Sequence, residues 1–469
     1  MFSKVREENL YLAIMFIFGL LLVFLIPPFN SPDEDSHFKK AYLVSNGIFY
    51  PEVRDGVVGN EIPSNMLQLI EIYKGYGANY QEKYDYQKFL MDLQTLGISS
   101  DTTFQEYTTA TINPIIYIIP ASGIWLANLF SNIIGIKPTI TNMLYGARIM
   151  SLIVYSLLIY FAIKISPRFK KSLLLFALLP MSVALISCVS YDSLLIVATF
   201  LLFGIVMNLR YSSDKVKKWH FIFLGIIIFI YFNLKYIYIL NLFMLLLIPA
   251  NKLLKDKKNI IKKCFFMLIA VIMLTVITKY KLITLSGIEG SNLPSEQVHF
   301  ILNNPFSYIK IYFSTLLNNR FFYLSTFIGV FGLLDTYLPT AFYIIYFIMS
   351  IIILLSDCNV KAREQLAIPI YFKIIALFVC FGIISLSFLA MYVNWTSILD
   401  GYGVGASSIS GVQGRYFIPA LIPIIIIFIN KFNSKRFVKL REFVNNNYGY
   451  GFICCFLIMV VTILIRFWM

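Results

Sequence analysis

Residues 169–209, FKKSLLLFALLPMSVALISCVSYDSLLIVATFLLFGIVMNL, are almost entirely apolar and decide the fold class. As a single helix, about 40 residues would extend roughly 60 Å at 1.5 Å per residue, twice the hydrocarbon thickness of a bilayer. The stretch therefore predicts two membrane helices that meet in a turn near Ser190-Tyr191-Asp192.

Apolar runs of this kind recur from Leu10 to the last residue. The chain is 59% hydrophobic, 17% aromatic and 13% charged, whereas soluble proteins are about a quarter charged. We therefore expect an all-α polytopic membrane protein. The first run ends in Pro27-Pro28 rather than in a small-residue cleavage site, which predicts a membrane helix and not a signal peptide. The six cysteines show no paired metal-ligand spacing.

The basic residues are grouped in five clusters that should face the cytoplasm. These clusters cover residues 164–171, 210–218, 252–263, 361–363 and 431–441. Keeping all of them and the N-terminus on one side requires an even number of crossings between neighbouring clusters. The formal net charge of +15 then follows from topology, and nucleic acid is not predicted as a partner.

We call this requirement for an even number of crossings charge parity. It matters most for residues 218–250. One long helix would place a flanking basic cluster outside, so we predict a break near Asn233-Leu234-Lys235. The parity predicts about eleven membrane helices, with the N-terminus cytoplasmic. These helices are 10–29, 140–164, 169–189, 192–210, 218–233, 236–250, 263–281, 337–356, 367–392, 415–430 and 450–468.

The predicted organisation leaves two large extracytoplasmic segments, residues 30–139 and 282–336. The first helix (1–29), helices 2–7 (140–281) and helices 8–11 (337–469) form the membrane part. Residues 114–134 are apolar but contain two prolines and a glycine, so we predict that they lie in the outer interface. The same is expected near residues 305–323.

An acidic cluster directly follows the first helix: Asp33, Glu34, Asp35 and His37. A carboxylate here suits general-base work on an acceptor hydroxyl, or binding of a divalent cation by Asp33 and Asp35. Asp33 and His37 are four residues apart and share a helix face. The alternative is structural, because Ser31 and Glu34 also fit a helix capping box.

A second cluster, GVQGRY at residues 411–416, joins a glycine-rich loop to a helix. Arg415 could bind phosphate in a bidentate manner, with Gln413 and Tyr416 beside it. Lys235 and Asp192 lie at predicted outer turns, where they would bind substrate or pair with other charges. The alternative for this loop is a flexible connection whose arginine extends to water.

Several of these motifs together resemble a bacterial membrane-protein family, the domain of unknown function 2142. The matching pieces are PPFNSPDE at 27–34 with His37, the segment 113–117, SYD at 190–192, GLLDT at 332–336 and GVQGRY at 411–416. The glycine turn departs from the pattern, since tryptophan is expected where Leu333 or Leu334 stands.

That family resembles the GT-C superfamily of glycosyltransferases. The resemblance implies a polyprenyl-phosphate-linked sugar as donor and an acidic catalytic base in the first outer loop, here Asp33, with Glu34 next. We therefore expect an inverting transferase in a bacterial plasma membrane that modifies an extracytoplasmic glycan or cell-wall polymer among membrane lipids. A lipid-linked glycan transporter or flippase, and a polysaccharide ligase or polymerase, are the alternatives.

Overall fold

A computed structural model describes residues 5–213, 215–254, 257–286, 292–357, 369–428 and 435–469, and helices dominate it. Within these ranges, eight helices are long and apolar enough to cross a membrane. They are Glu7–Leu25, Pro114–Ile133, Ile140–Ile165, Tyr191–Tyr211, Lys257–Lys279, Thr340–Asp357, Ile370–Thr396 and Arg441–Phe467. The predicted polytopic membrane character agrees with this set.

The expectation of eleven spanning helices is wrong by this measure. The predicted helix 169–189 is two short helices, Lys170–Ala177 and Pro180–Ile186, because Pro180 cannot continue the first one. The region predicted at 415–430 is a shorter apolar helix, Gly414–Ile426, made of successive 3₁₀, α and 3₁₀ segments. Residues 429–430 lie outside the described chain.

The Pro114–Ile133 helix, predicted to lie in the outer interface, belongs to the set of eight. It packs closely along Ile140–Ile165, where Gly123 and Gly146 face each other. A Cβ added at Gly123 would lie 2.2 Å from the Gly146 carbonyl oxygen. This contact requires glycine at both positions. Gly123, which contributed to the prediction of an interfacial helix, therefore allows close packing of two helices.

Both predicted helix breaks are present, the one near Ser190 that helix length indicated and the one near Lys235 that charge parity indicated. The helix Tyr191–Tyr211 begins after Ser190, whose Oγ accepts a hydrogen bond from the Asp192 amide at 3.2 Å. Two residues, Leu234 and Lys235, connect the helix Lys218–Asn233 to the 3₁₀ helix Tyr236–Leu247. The basic cluster 361–363 falls outside the described residues.

The segment after the first helix is a mixed α/β unit, so the all-α prediction is wrong there. Its three-stranded antiparallel sheet has the order β1-β2-β3, with strands Glu52–Arg54, Val57–Pro63 and Thr102–Glu106. Asp55 and Gly56 connect the first two strands with positive φ angles of 50° and 81°, as a tight hairpin requires. The helices of this unit are Glu34–Ser45, Ser64–Ala78 and Tyr86–Thr95.

The remaining elements connect and close the helical body. Short helices are Ala250–Leu254, Leu293–Asn303, Pro305–Asn318 and Arg320–Ile328, and a two-stranded sheet pairs Val330–Phe331 with Thr336–Tyr337. The helices Lys257–Ser286 and Lys435–Phe467 are longer than predicted. At the end of the last helix, buried Arg466 binds Asp335 at 2.7 Å and backbone carbonyls of the mixed α/β unit.

Candidate functional site

Four charged side chains from distant parts of the sequence form a chain of alternating charge. Arg415 Nη2 donates to Asp33 Oδ2 at 2.6 Å, and Arg415 Nε lies 3.5 Å from Asp192 Oδ2. Lys235 Nζ in turn donates to Asp192 Oδ1 at 3.2 Å. The predicted outer residues Asp33, Asp192, Lys235 and Arg415 are therefore brought together.

The four groups differ sharply in exposure. The side chain of Asp33 is 59% exposed, whereas that of Arg415 is 2% exposed and that of Asp192 10%. Asp33 Oδ1 accepts no hydrogen bond from the described residues, so one carboxylate oxygen is available to a ligand. Arg415 and Asp192 are therefore buried, and Arg415 holds the exposed carboxylate of Asp33 in place.

The local backbone explains how Asp33 reaches this position. Asp33 has a left-handed conformation, with φ 61° and ψ 8°, which is uncommon for a residue other than glycine and tolerated best by Asp and Asn. The helix begins at Glu34, and Asp33 makes no side-chain capping bond. The capping box considered from sequence is therefore absent, and the Asp33 carboxylate accepts no hydrogen bond from the backbone amides at the helix start.

The glycine loop fixes Arg415 through close backbone contact. Gly414 N donates to Thr326 Oγ1 at 2.8 Å, and a Cβ on Gly414 would lie 2.0 Å from the Tyr323 carbonyl oxygen. Gly411 has φ +83° and lies against the Trp395 ring. The loop is therefore tightly packed at these two positions rather than a flexible connection.

Glu34, the second catalytic candidate, has a different environment from its neighbour. It is fully buried with Arg148, whose Nε and Nη2 donate to its two oxygens at 2.8 and 2.5 Å. The Val189 amide also donates to Glu34 Oε1 at 3.0 Å. Both Glu34 oxygens are therefore occupied by protein donors, and the buried side chain is less accessible to a ligand than that of Asp33.

Asp33 borders a cavity of about 470 Å³, which we call the aromatic cavity. Tyrosines surround the Lys235 ammonium group, which lies 4.0 Å from the Tyr416 ring centroid and 5.2 Å from that of Tyr191. The wall of the cavity also includes the side chains of Gln413, Asn394 and Trp395. The other lining residues are His37, Thr108, Thr109, Ile112, Tyr236, Ile237, Tyr238, Ser387, Ala390, Met391 and Gly411.

Asp33 also borders a second cavity of about 620 Å³, which we call the polar cavity. It lies against the mixed α/β unit and includes Asp35, Lys39 and Lys74. Asp35 Oδ2 is 3.5 Å from Lys39 Nζ and 3.3 Å from Lys74 Nζ. Asp33 is thus shared by two cavities of contrasting chemistry.

The structure offers little for the divalent cation considered at Asp33 and Asp35. Within the described ranges, no three His, Cys, Asp or Glu side chains converge as a metal site. Asp33 is paired with Arg415, and Asp35 is paired with two lysines. Their carboxylates are therefore compensated by protein cations.

His37 is buried at the edge of the aromatic cavity. Its Nδ1 lies 2.8 Å from the Tyr117 hydroxyl, and its ring meets that of Tyr191 edge-on at 4.7 Å. Burial lowers the pKa of His37 to about 4, against the opposing effect of the Asp33 and Asp192 carboxylates. His37 is therefore neutral at physiological pH and suited to hydrogen bonding.

Two residues of this site escaped the sequence analysis. Trp395 lies in a π-helical turn, Tyr392–Thr396, a local distortion that is frequent at functional sites. Arg148 sits within an apolar helix, and an ionisable residue there requires a partner. Arg148 is the one arginine between residues 140 and 164, and its isolation among apolar residues could have indicated a buried ion pair. Its partner is Glu34 of the acidic cluster.

Comparison with known proteins assigns a family to this chain. Residues 16–425 match the family described as predicted membrane protein (DUF2142). No curated protein and no solved structure matches the chain. The match covers most of the chain, including Asp33 and Arg415, and agrees with the eight long apolar helices. The chain is a member of this family of multi-pass membrane proteins.

Proposed function

We propose that this protein is a membrane glycosyltransferase that moves a sugar from a polyprenyl-phosphate-linked donor to an extracytoplasmic glycan or cell-wall polymer. The observation that supports this best is the position of Asp33. Its carboxylate is exposed, held through one oxygen by Arg415 and shared by two cavities. A general base between a donor and an acceptor needs this placement.

The aromatic cavity suits the donor. Tyrosine and tryptophan rings offer flat surfaces for a sugar, and the amides of Gln413 and Asn394 offer hydrogen bonds to its hydroxyls. The Lys235 ammonium group, partly exposed among the rings, would offset the phosphate charge. The polar cavity suits a hydrophilic acceptor. Arg415 lines neither cavity, so we assign it to positioning Asp33 instead of binding phosphate.

The proposed reaction is a single displacement with inversion. Asp33 Oδ1 takes the proton of an acceptor hydroxyl as that oxygen bonds to the anomeric carbon. The bond between this carbon and the phosphate oxygen breaks, and polyprenyl phosphate leaves with the electron pair. Lys235 stabilises the charge that develops on the phosphate.

A lipid-linked glycan transporter is the second candidate, and the interrupted helices favour it. Broken helices often form transporter binding sites, and the chain has such breaks at Leu178–Leu179 and near Lys235. A polysaccharide ligase or polymerase would share the chemistry of Asp33 with a transferase.

The composition of the surface glycan in cells carrying Asp33→Asn tests the proposal. We expect loss of one sugar at normal protein level, whereas Asp400→Asn, an exposed carboxylate outside both cavities, should leave the glycan unchanged. Accumulation of a complete lipid-linked glycan would indicate transport, and uniformly shortened polymers would indicate ligation or polymerisation. A normal glycan in Asp33→Asn cells would refute the role of Asp33.

A further inference from the structure

A third cavity, which Asp33 does not line, lies between two parallel helices. It has a volume of about 660 Å³ and is almost entirely apolar. The helices are Lys218–Asn233 and Lys257–Ser286, and the cavity opens between them as a groove. Its lining comprises Ile115, Ile116, Ile119, Leu194, Lys218, Phe221, Ile222, Gly225, Ile226, Phe229, Ile230, Lys263, Phe266, Met267, Ala270, Val271 and Leu274.

The groove carries positive charge at one end. Lys218 and Lys263 both line it, and Lys263 Nζ lies 5.7 Å from the Phe221 ring centroid. Within the described part of the chain, neither lysine forms a salt bridge with an acidic side chain. Both belong to clusters that the sequence predicts to face the cytoplasm. Among the described residues, the groove mouth therefore combines two lysines without acidic partners with an apolar channel.

A polar network lies beyond the opposite end of the groove. Asn113 Nδ2 donates to Asn233 Oδ1 at 2.8 Å and to Thr278 Oγ1 at 2.6 Å. Asn233 Nδ2 also donates to Thr275 Oγ1 at 3.3 Å. The groove thus runs from the two lysines at its mouth to this network at its other end, where Lys279 donates an exposed hydrogen bond to the Phe232 carbonyl oxygen at 3.4 Å.

The length of the apolar part matches one leaflet of a bilayer. From Lys263 to Leu274 the helix advances about 16 Å at 1.5 Å per residue, and half of the hydrocarbon core is about 15 Å. Gly225 faces Met267, with an added Cβ only 3.1 Å from Met267 Cγ. An acyl chain of ordinary length fits this dimension, whereas a polyprenyl chain is longer than one leaflet.

We propose that this groove binds an anionic phospholipid of the cytoplasmic leaflet. The headgroup phosphate lies between Lys218 and Lys263, and one acyl chain fills the apolar channel. Basic pockets between membrane helices recognise anionic headgroups in this way. The lipid would fix Lys257–Ser286 against Lys218–Asn233 independently of the chemistry at Asp33.

Native mass spectrometry of the detergent-solubilised protein, titrated with dioleoyl phosphatidylglycerol or dioleoyl phosphatidylcholine, tests this site. We expect one phosphatidylglycerol bound about 30-fold more tightly than phosphatidylcholine, equivalent to about 2 kcal/mol for two lysines. The double variant Lys218→Gln/Lys263→Gln should lose this preference. The matched control Lys257→Gln/Lys258→Gln removes two exposed charges of the same region outside the groove and should retain it.

A second variant, Ala270→Trp, blocks the channel while leaving both lysines in place. It should weaken binding of phosphatidylglycerol by at least about tenfold if an acyl chain occupies the groove. Equal binding of both lipids by the parent, or equal loss in the control double variant, would overturn the proposal. Stoichiometric displacement of phosphatidylglycerol by a polyprenyl phosphate would assign the groove to that lipid instead.

Discussion

Replacement of Glu34 by glutamine should strongly lower the stability of the protein, although the neighbouring change Asp33→Asn should not. Glu34 accepts two bonds from Arg148 and one from the Val189 amide in a fully buried site. Breaking one partner of a buried ion pair costs about 3–5 kcal/mol, against a total stability of about 5–15 kcal/mol for folded proteins. We therefore expect about a fifth or more of the stability to be lost.

Fluorescence-detected size-exclusion chromatography after heating measures this loss on detergent-solubilised protein. The double variant Glu34→Leu/Arg148→Met should recover only part of it, because the Val23, Ile26 and Pro27 carbonyls also lose the arginine donors. A Glu34→Gln protein that survives heating as well as the parent would refute the structural role of this pair.

Three further predictions concern the candidate site. Arg415→Lys should reduce sugar transfer by at least about tenfold in a membrane assay, because an ammonium group lacks the planar array of donors that contacts Asp33 and Asp192 together; unchanged transfer would contradict the positioning role. His37 has a pKa of about 4 in the fold and about 6.5 unfolded, so thermal stability should fall as the pH drops from about 6.5 to 4, and the His37→Gln variant should lack this component. Gly414→Ala should lower the heat resistance of the protein, since its Cβ would meet the Tyr323 carbonyl oxygen at 2.0 Å, and a normal melting profile would count against this packing.

Helix length and charge parity predicted the two helix breaks beside the site, but not the number of spanning helices. Between the basic clusters 164–171 and 210–218, where parity requires an even number, only Tyr191–Tyr211 is among the eight long apolar helices. The starts and ends of helices at Ser190 and Lys235 follow from two simple quantities, the thickness of a bilayer and the side on which basic loops lie. Both breaks are present, and each contributes a charged residue to the site. The grouping of Asp33, Asp192 and Arg415 was therefore accessible from sequence.

Other features depended on tertiary contacts or on local patterns that were overlooked. Which of two adjacent acids is exposed depends on the backbone conformation of Asp33 and on Arg148, more than 100 residues away. The Asp55-Gly56 hairpin had a recognisable turn sequence, but it lay in a segment treated as a polar loop. The prolines of Gly414–Ile426 also indicated that a regular helix was unfavourable there.

Transfer of labelled sugar in washed membranes tests the central claim most directly. Lipid-linked sugars labelled in the parent cells are supplied to membranes containing the parent protein, Asp33→Asn or Asp400→Asn. We predict that the parent and Asp400→Asn move label to the glycan and release polyprenyl phosphate, and that Asp33→Asn is slower by at least about 100-fold. Equal transfer by Asp33→Asn and the parent would contradict the assignment of Asp33 as the catalytic base.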